Sequence, residues 1–271
     1  MVFVRAGATE RWLPLALLLA LAAMAVALLP IPEWYHLLIV SERGIIENGT
    51  VALSLAGAVY AWLLFRYWRS VSDRLTSLWY LGFVIGLVIL AGEEISWGQQ
   101  WFGWMTPRGF AQINIQGETN LHNLSGWSEQ VPKLLMAGAV LVTGVLWPLY
   151  ASRRRHAAHL LGDGLRRIWP PETLWASAVI AFGLWLTGRL VIGLDLDDDL
   201  IRPYVVPLKE GHELFLILYV TLYLRSAWST RQSVREQQQR VNSYKCRAGS
   251  RPVNAPPLRS TPARRPPERV R

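Results

Sequence analysis

Residues 75–92 read LTSLWYLGFVIGLVILAG, a stretch without a single charge, and run directly into Glu93-Glu94-Ile95-Ser96-Trp97-Gly98-Gln99-Gln100. A run of this length and composition crosses ~30 Å of hydrocarbon as a helix, which takes about 20 residues. The polar string that follows sits at the bilayer boundary, where carboxylates are costly and need a reason. Working outward, further apolar runs occupy roughly 13–31, 45–65, 131–151, 173–194 and 207–227. A transmembrane barrel would show short alternating segments instead, so helices are the expected spanning element. The expected fold class is all-α, a polytopic membrane helix bundle of about six transmembrane helices followed by a disordered basic C-terminal tail. Residues 1–228 form the membrane domain, with an outward-facing loop over 93–130, and 229–271 form the tail.

The net charge of +9 belongs to that tail, because residues 229–271 hold 11 Lys/Arg against 2 Asp/Glu. The remaining 228 residues hold 17 of each sign and are neutral. The tail is rich in Pro, Arg, Gln and Ser and has no apolar period, which is the composition of a disordered segment. Its plain reading is a solvated cytoplasmic tail, and its sharper one is attraction to anionic lipid headgroups. Nucleic acid is not an expected partner, since no aromatic or folded context accompanies the charge. The one cysteine, Cys246, excludes a disulfide framework or a Cys-based metal site within the chain. Arg5 and Arg11 before the first apolar run resemble a signal peptide. The run is long and has no clear small-residue cleavage site, so an uncleaved first span is expected.

Loop charges alternate along the chain. Arg66, Arg69 and Arg74 follow the second run, Arg153-Arg154-Arg155 and Arg166-Arg167 follow the fourth, and the tail follows the sixth. The opposite loops carry Glu33 and Glu42, then the segment 93–130, then Asp195, Asp197, Asp198 and Asp199. The positive-inside rule places both termini in the cytoplasm. Tryptophans near both boundaries, Trp34, Trp97, Trp101, Trp104 and Trp127 on one side and Trp12, Trp62, Trp68, Trp169 and Trp175 on the other, suit the two aromatic belts.

Polar groups from four helical ends then face one compartment. They are Glu47 and Asn48; Glu93, Glu94, Ser96, Gln99 and Gln100; Arg189; and Lys209, Glu210, His212 and Glu213. The loop between the third and fourth runs adds Glu118, Asn120, His122 and Asn123. If the third helix continues past Glu94, then Glu93, Ser96, Trp97 and Gln100 share one face. Glu210 and Glu213 share a face, and His212 points elsewhere. If 116–123 is helical, Glu118 and His122 form an i, i+4 pair. Candidate catalytic residues are Glu93, Glu94, Ser96, Gln100, Glu118 and His122. In one reading Glu94, Glu118, His122, Glu210 and Glu213, with Glu93 beside them, ligate one divalent cation, a hard ion or, with His, zinc or iron. In another, clustered carboxylates divide into a general acid and a base, with no metal. The plainer alternative is that such groups bond free backbone and one another at helix ends, one glutamate serving only to neutralise Arg189. His212-Glu213 opens like the zinc-protease H-E-x-x-H, but Leu216 stands at the last position, so that motif fails.

The string E-E-I-S-W-G-Q followed by N-I-Q-G-E-T-N-L-H-N, over 93–123, resembles a group of uncharacterised bacterial multi-spanning membrane proteins. The resemblance implies a bacterial inner-membrane protein and carries no activity with it. The expected function is an integral membrane enzyme, a hydrolase or group transferase acting on a lipid or lipid-linked substrate. Two alternatives are a proton- or cation-coupled transporter and a scaffold subunit of an envelope complex.

The topology is open to direct test by cysteine labelling in a Cys246→Ser background. Reagent added from outside is expected to label Gln112→Cys and not Ala157→Cys; outside labelling at 157 would overturn the orientation.

Overall fold

The computed structural model describes residues 8–41, 43–112, 119–120, 126–153, 162–194 and 198–249. Every regular element among them is helical. Six helices are long: α1 (Ala8–Leu28), α2 (Ile45–Ser70), α3 (Arg74–Glu94), α4 (Gly126–Leu141), α5 (Trp175–Ile192) and α6 (Asp198–Gly249). Helix α4 continues through a π-helical turn, Val142–Leu146, into Trp147–Arg153. Among the described residues, five stretches can cross a membrane by length and apolar composition: Thr9–Leu28, Pro32–Ser70, Arg74–Glu94, Lys133–Arg153 and Glu172–Ile192.

The sixth run is of a different kind. Lys209, Glu210, Glu213 and Arg225 dilute its hydropathy, yet every residue from Leu214 to Leu224 is buried. A helix buried all round is the core of a bundle and not a face of it. The other helices wrap it, and their outer faces present residues such as Leu19, Val59, Ile85, Leu134, Leu135, Leu186 and Leu190. Sheltered from lipid, α6 tolerates hydroxyls that would be expensive on a hydrocarbon surface, provided each finds a partner. Thr221 Oγ1 donates to the Leu53 carbonyl of α2 at 2.9 Å. The Tyr219 hydroxyl bonds Thr143 Oγ1, in the π turn of α4, at 2.9 Å. Tyr223 OH donates to the Ile168 carbonyl at 2.8 Å and accepts from Trp79 Nε1 of α3 at 3.2 Å. Ser177 Oγ of α5 donates to the Phe215 carbonyl at 2.9 Å. Arg225 reaches the buried Glu10 of α1 at 3.2 Å.

These contacts also fix direction. Glu10 and Arg225 meet, so the start of α1 and the inner part of α6 share one end of the bundle. Asp73, in the turn between α2 and α3, joins Arg167 at 3.2 Å. Its carboxylate caps α3 by accepting from the Thr76 N–H at 3.0 Å. That backbone bond, with Arg167 beside it, holds the Asp73 carboxyl below the ordinary aspartate range. Helices α2, α4 and α6 run away from the opposite, acidic end, and α1, α3 and α5 run toward it. Near that acidic end, Pro207 has no N–H to give the Pro203 carbonyl one turn back; the Tyr35 hydroxyl bonds it instead at 3.0 Å.

Two glycines let the wrapping helices close on α6. A Cβ on Gly57 would stand 3.0 Å from both Leu87 Cδ1 and Thr221 Oγ1. A Cβ on Gly144 would stand 2.6 Å from Ala178 Cβ and 2.7 Å from the Tyr219 ring. Beyond the bundle, the segment Arg231–Arg271 is a unit of its own. Helical backbone extends through Gly249, past the expected end of the sixth run at 227. Its Arg, Gln, Glu and Lys are good helix formers, and no proline interrupts before 249. Residues 250–271 lie outside the described residues.

The close approach at Gly144 predicts that Gly144→Ala lowers the thermal midpoint in detergent, at a cost of about 1–3 kcal/mol for overpacking. Gly138→Ala meets nothing within 4 Å and is expected to leave the midpoint unchanged or slightly raised. Equal midpoints for the two variants would refute the close packing.

Candidate functional site

The acidic end of the bundle gathers side chains from α2, α3, α4 and α6. Helix α3 stops at Glu94, so the condition that it continue past that residue is not met. Three successive left-handed residues, Ser96 (φ 46), Trp97 (φ 56) and Gly98 (φ 100), turn the chain sharply instead. Positive φ at two non-glycine residues is strained backbone that persists only when its surroundings hold it. Two contacts hold it here. The Trp97 indole Nε1 donates to Glu93 Oε1 at 2.6 Å. The same ring lies on Gly92, where a Cβ would approach its carbons to 2.9 Å. Trp97 and Glu93 therefore meet as helical spacing suggested, through a different backbone path.

The turn buries Ser96 completely. Its Oγ accepts from Asn120 Nδ2 at 3.0 Å, and Asn120 is itself 1% exposed. Gln99 fastens the loop behind the turn: its Nε2 donates to Thr106 Oγ1 at 2.7 Å, and its Oε1 accepts from the Thr119 N–H at 2.8 Å. Trp101 Nε1 donates to Asn48 Oδ1 at 3.2 Å, joining this loop to the start of α2. Gln100, expected in the site, lies partly exposed on the short helix Gln99–Phe102; its neighbour Gln99 makes the structural contacts.

Beside this turn stands a charge cluster. Lys133 of α4 and Glu213 of α6 form an ion pair at 2.8 Å, with Glu213 largely buried. Glu94 lies within electrostatic reach of Glu213, Glu210, Lys133 and Lys209. Three of the expected carboxylates, Glu94, Glu210 and Glu213, thus lie at one end of the bundle, with Glu94 in electrostatic reach of the other two. Glu93 stands one residue before Glu94 and engages Trp97. Register brings α2 to the same level. Gly57 packs on Leu87, and one helix runs antiparallel to the other, so Thr50 is level with Glu94. Glu47 lies one turn farther out than Thr50. Gly49 faces Leu214, next to Glu213.

His212 turns the other way, toward α5. Its Nδ1 is 2.8 Å from the Ala181 carbonyl, and its ring meets Phe182 edge-on. A carbonyl only accepts, so Nδ1 carries the proton. Arg189, expected to draw a glutamate, instead lies over the Trp185 ring at 5.8 Å. Glu118 and His122 lie outside the described residues, as do Glu42, Asp195 and Asp197. Among the described residues, no three His, Cys, Asp or Glu groups stand close enough together to hold a metal ion. Glu94, Glu210 and Glu213 therefore do not form a cation site by themselves. A physical reason is at hand, because the ammonium of Lys133 already supplies positive charge to Glu213. Lys133 was not singled out by the sequence reading; its one signal was a lone cation opening the fourth apolar run.

Chemically, the cluster combines desolvated carboxylates, two ammonium groups and a buried hydroxyl at the mouth of a helix bundle. Such a set transfers protons and binds polar, charged ligands. Comparison with protein families, with curated proteins and with solved structures found no match for the chain.

Proposed function

We propose that this protein is a bacterial inner-membrane enzyme, a hydrolase or group transferase, that acts on a lipid or lipid-linked substrate from the outer face of the bilayer. In this reading the chain passes the membrane six times with both termini in the cytoplasm. The acidic end of the bundle then faces outward.

The observation that carries the reading is the gathering of Glu94, Glu210, Glu213, Lys133 and Lys209 from three helices. Charges at the edge of hydrocarbon are costly to bury, and this end carries five from three helices, where the other end carries the simple pairs Glu10–Arg225 and Asp73–Arg167. Carboxylates that share a desolvated site compete for ionisation, which separates one as acid and another as base. Glu94 and Glu210 fill those roles, and Lys133 fixes Glu213 beside them. Ser96 and Asn120, buried next to the cluster, offer a hydroxyl and an amide to orient a polar headgroup. The cluster sits where a lipid presents its headgroup, so the substrate reaches it without leaving the membrane. Charge supplied by Lys133 and Lys209 favours the metal-free version of the chemistry. A divalent cation would require Glu118 and His122 to join.

The test is turnover in nanodiscs made from a bacterial lipid extract, followed by mass spectrometry of the lipids and metal analysis of the protein. The wild-type chain is expected to alter one lipid class. Glu94→Gln is expected to cut the rate by about 10²–10⁴, as for loss of a general acid or base, at unchanged metal content. Unchanged lipids would contradict the reading, above all if the same protein drove proton or cation uptake in proteoliposomes.

A further inference from the structure

We propose that Arg189 and Trp185, on the outward side of α5, bind the phosphodiester of a bilayer phospholipid. Arg189 lies in the last turn of α5, three residues before its end, which is ~4.5 Å along the axis. Its neighbours on the exposed face are Trp185, Leu186, Leu190 and Ile192, each close to half exposed or more. The opposite side of the same turn faces the bundle, because Gly188 is buried with its Cβ position 3.6 Å from Leu208 Cβ. A guanidinium on an apolar, lipid-facing surface needs an anion. Among the described residues, the group it meets is the Trp185 ring, at 5.8 Å to the centroid, and no carboxylate.

An arginine resting on an aromatic face keeps its N–H edges free, and their fork matches two oxygens of a phosphate. The long side chain also lets the head reach the interface while its stem stays in hydrocarbon. At this depth the abundant anion is the lipid phosphate. Free inorganic phosphate has no affinity for the surface made by Leu186, Leu190 and Ile192, whereas acyl chains cover it. The contact of Gly188 with Leu208 also sets the level. Because α5 and α6 run antiparallel, Arg189 stands level with Pro207, about one turn farther out than Glu210 and nearly two turns farther out than Glu213. A lipid phosphate held there lies about one turn outward of Glu210, on the same end of the bundle as the carboxylate cluster. The inference does not depend on the proposed reaction, because Arg189 lies outside that cluster.

The full chain in neutral maltoside detergent is titrated with phosphatidylglycerol, with diacylglycerol and with inorganic phosphate. Lipid retained per folded protein is read by native mass spectrometry. Arg189→Gln is expected to weaken phosphatidylglycerol binding about tenfold, the worth of one charge-assisted hydrogen bond. Arg189→Lys, which keeps the charge and loses the fork, is expected to fall between, and it carries the test if Arg189→Gln does not fold. Trp185→Leu is expected to weaken binding as well. Diacylglycerol retention should be the same for all variants. The proposal is overturned by equal phosphatidylglycerol binding in wild type and Arg189→Gln. Displacement of the lipid by millimolar inorganic phosphate also overturns it. So does a gain of tenfold or more on replacing Asp195, Asp197, Asp198 and Asp199 by Asn, which would show that an aspartate of the chain already holds Arg189.

Discussion

Three turns of α6, Leu214 to Leu224, are enclosed on every side, and the rest of the molecule is arranged to enclose them. A membrane bundle gains little from hiding apolar surface, since lipid is as apolar as leucine. Its helices associate through close packing and through hydrogen bonds that have no water to compete with them. Both are concentrated on α6. Glycines 57 and 144 let α2 and α4 approach it, and α1, α2, α3, α4 and α5 each join it by a polar contact. The same helix carries Lys209, Glu210 and Glu213 to the acidic end, so the element that organises the core also presents the charges of the site.

Much of this architecture was legible in the sequence because hydrocarbon imposes a length and a composition on any helix that faces it. The runs at 13–31, 45–65, 75–92, 131–151 and 173–194 correspond to helices within a few residues of their observed ends. The run at 207–227 was legible as a helix, but its central place was not, because burial against protein relaxes the demand for apolar residues that hydropathy measures. The extension of α6 through Gly249 has a related cause. Helix propensity acts there without any apolar face to pack, which fits the expectation of a tail with no fold of its own.

The site was partly legible. Glu94, Glu210 and Glu213 announced themselves as costly charges at one depth, and Glu94 lies within electrostatic reach of the other two. The turn after α3 did not announce itself. Glycine at 98 signals a left-handed residue, but Ser96 and Trp97 adopt that geometry only because Gly92 accepts the indole and Glu93 accepts its N–H. Those are tertiary causes, invisible to helical periodicity. Lys133 was passed over for a similar reason: its meaning depends on α4 running parallel to α6, which places it against Glu213 rather than in solvent.

The account stands most directly on that pairing of α4 with α6 at the acidic end, and charge reversal measures it. Lys133→Glu and Glu213→Lys are each expected to lower the thermal midpoint of the purified chain in detergent. The double reversal is expected to recover most of the loss, with a coupling of about 0.5–3 kcal/mol. Additive losses in the double variant, or single variants as stable as the wild type, would contradict the arrangement of the cluster.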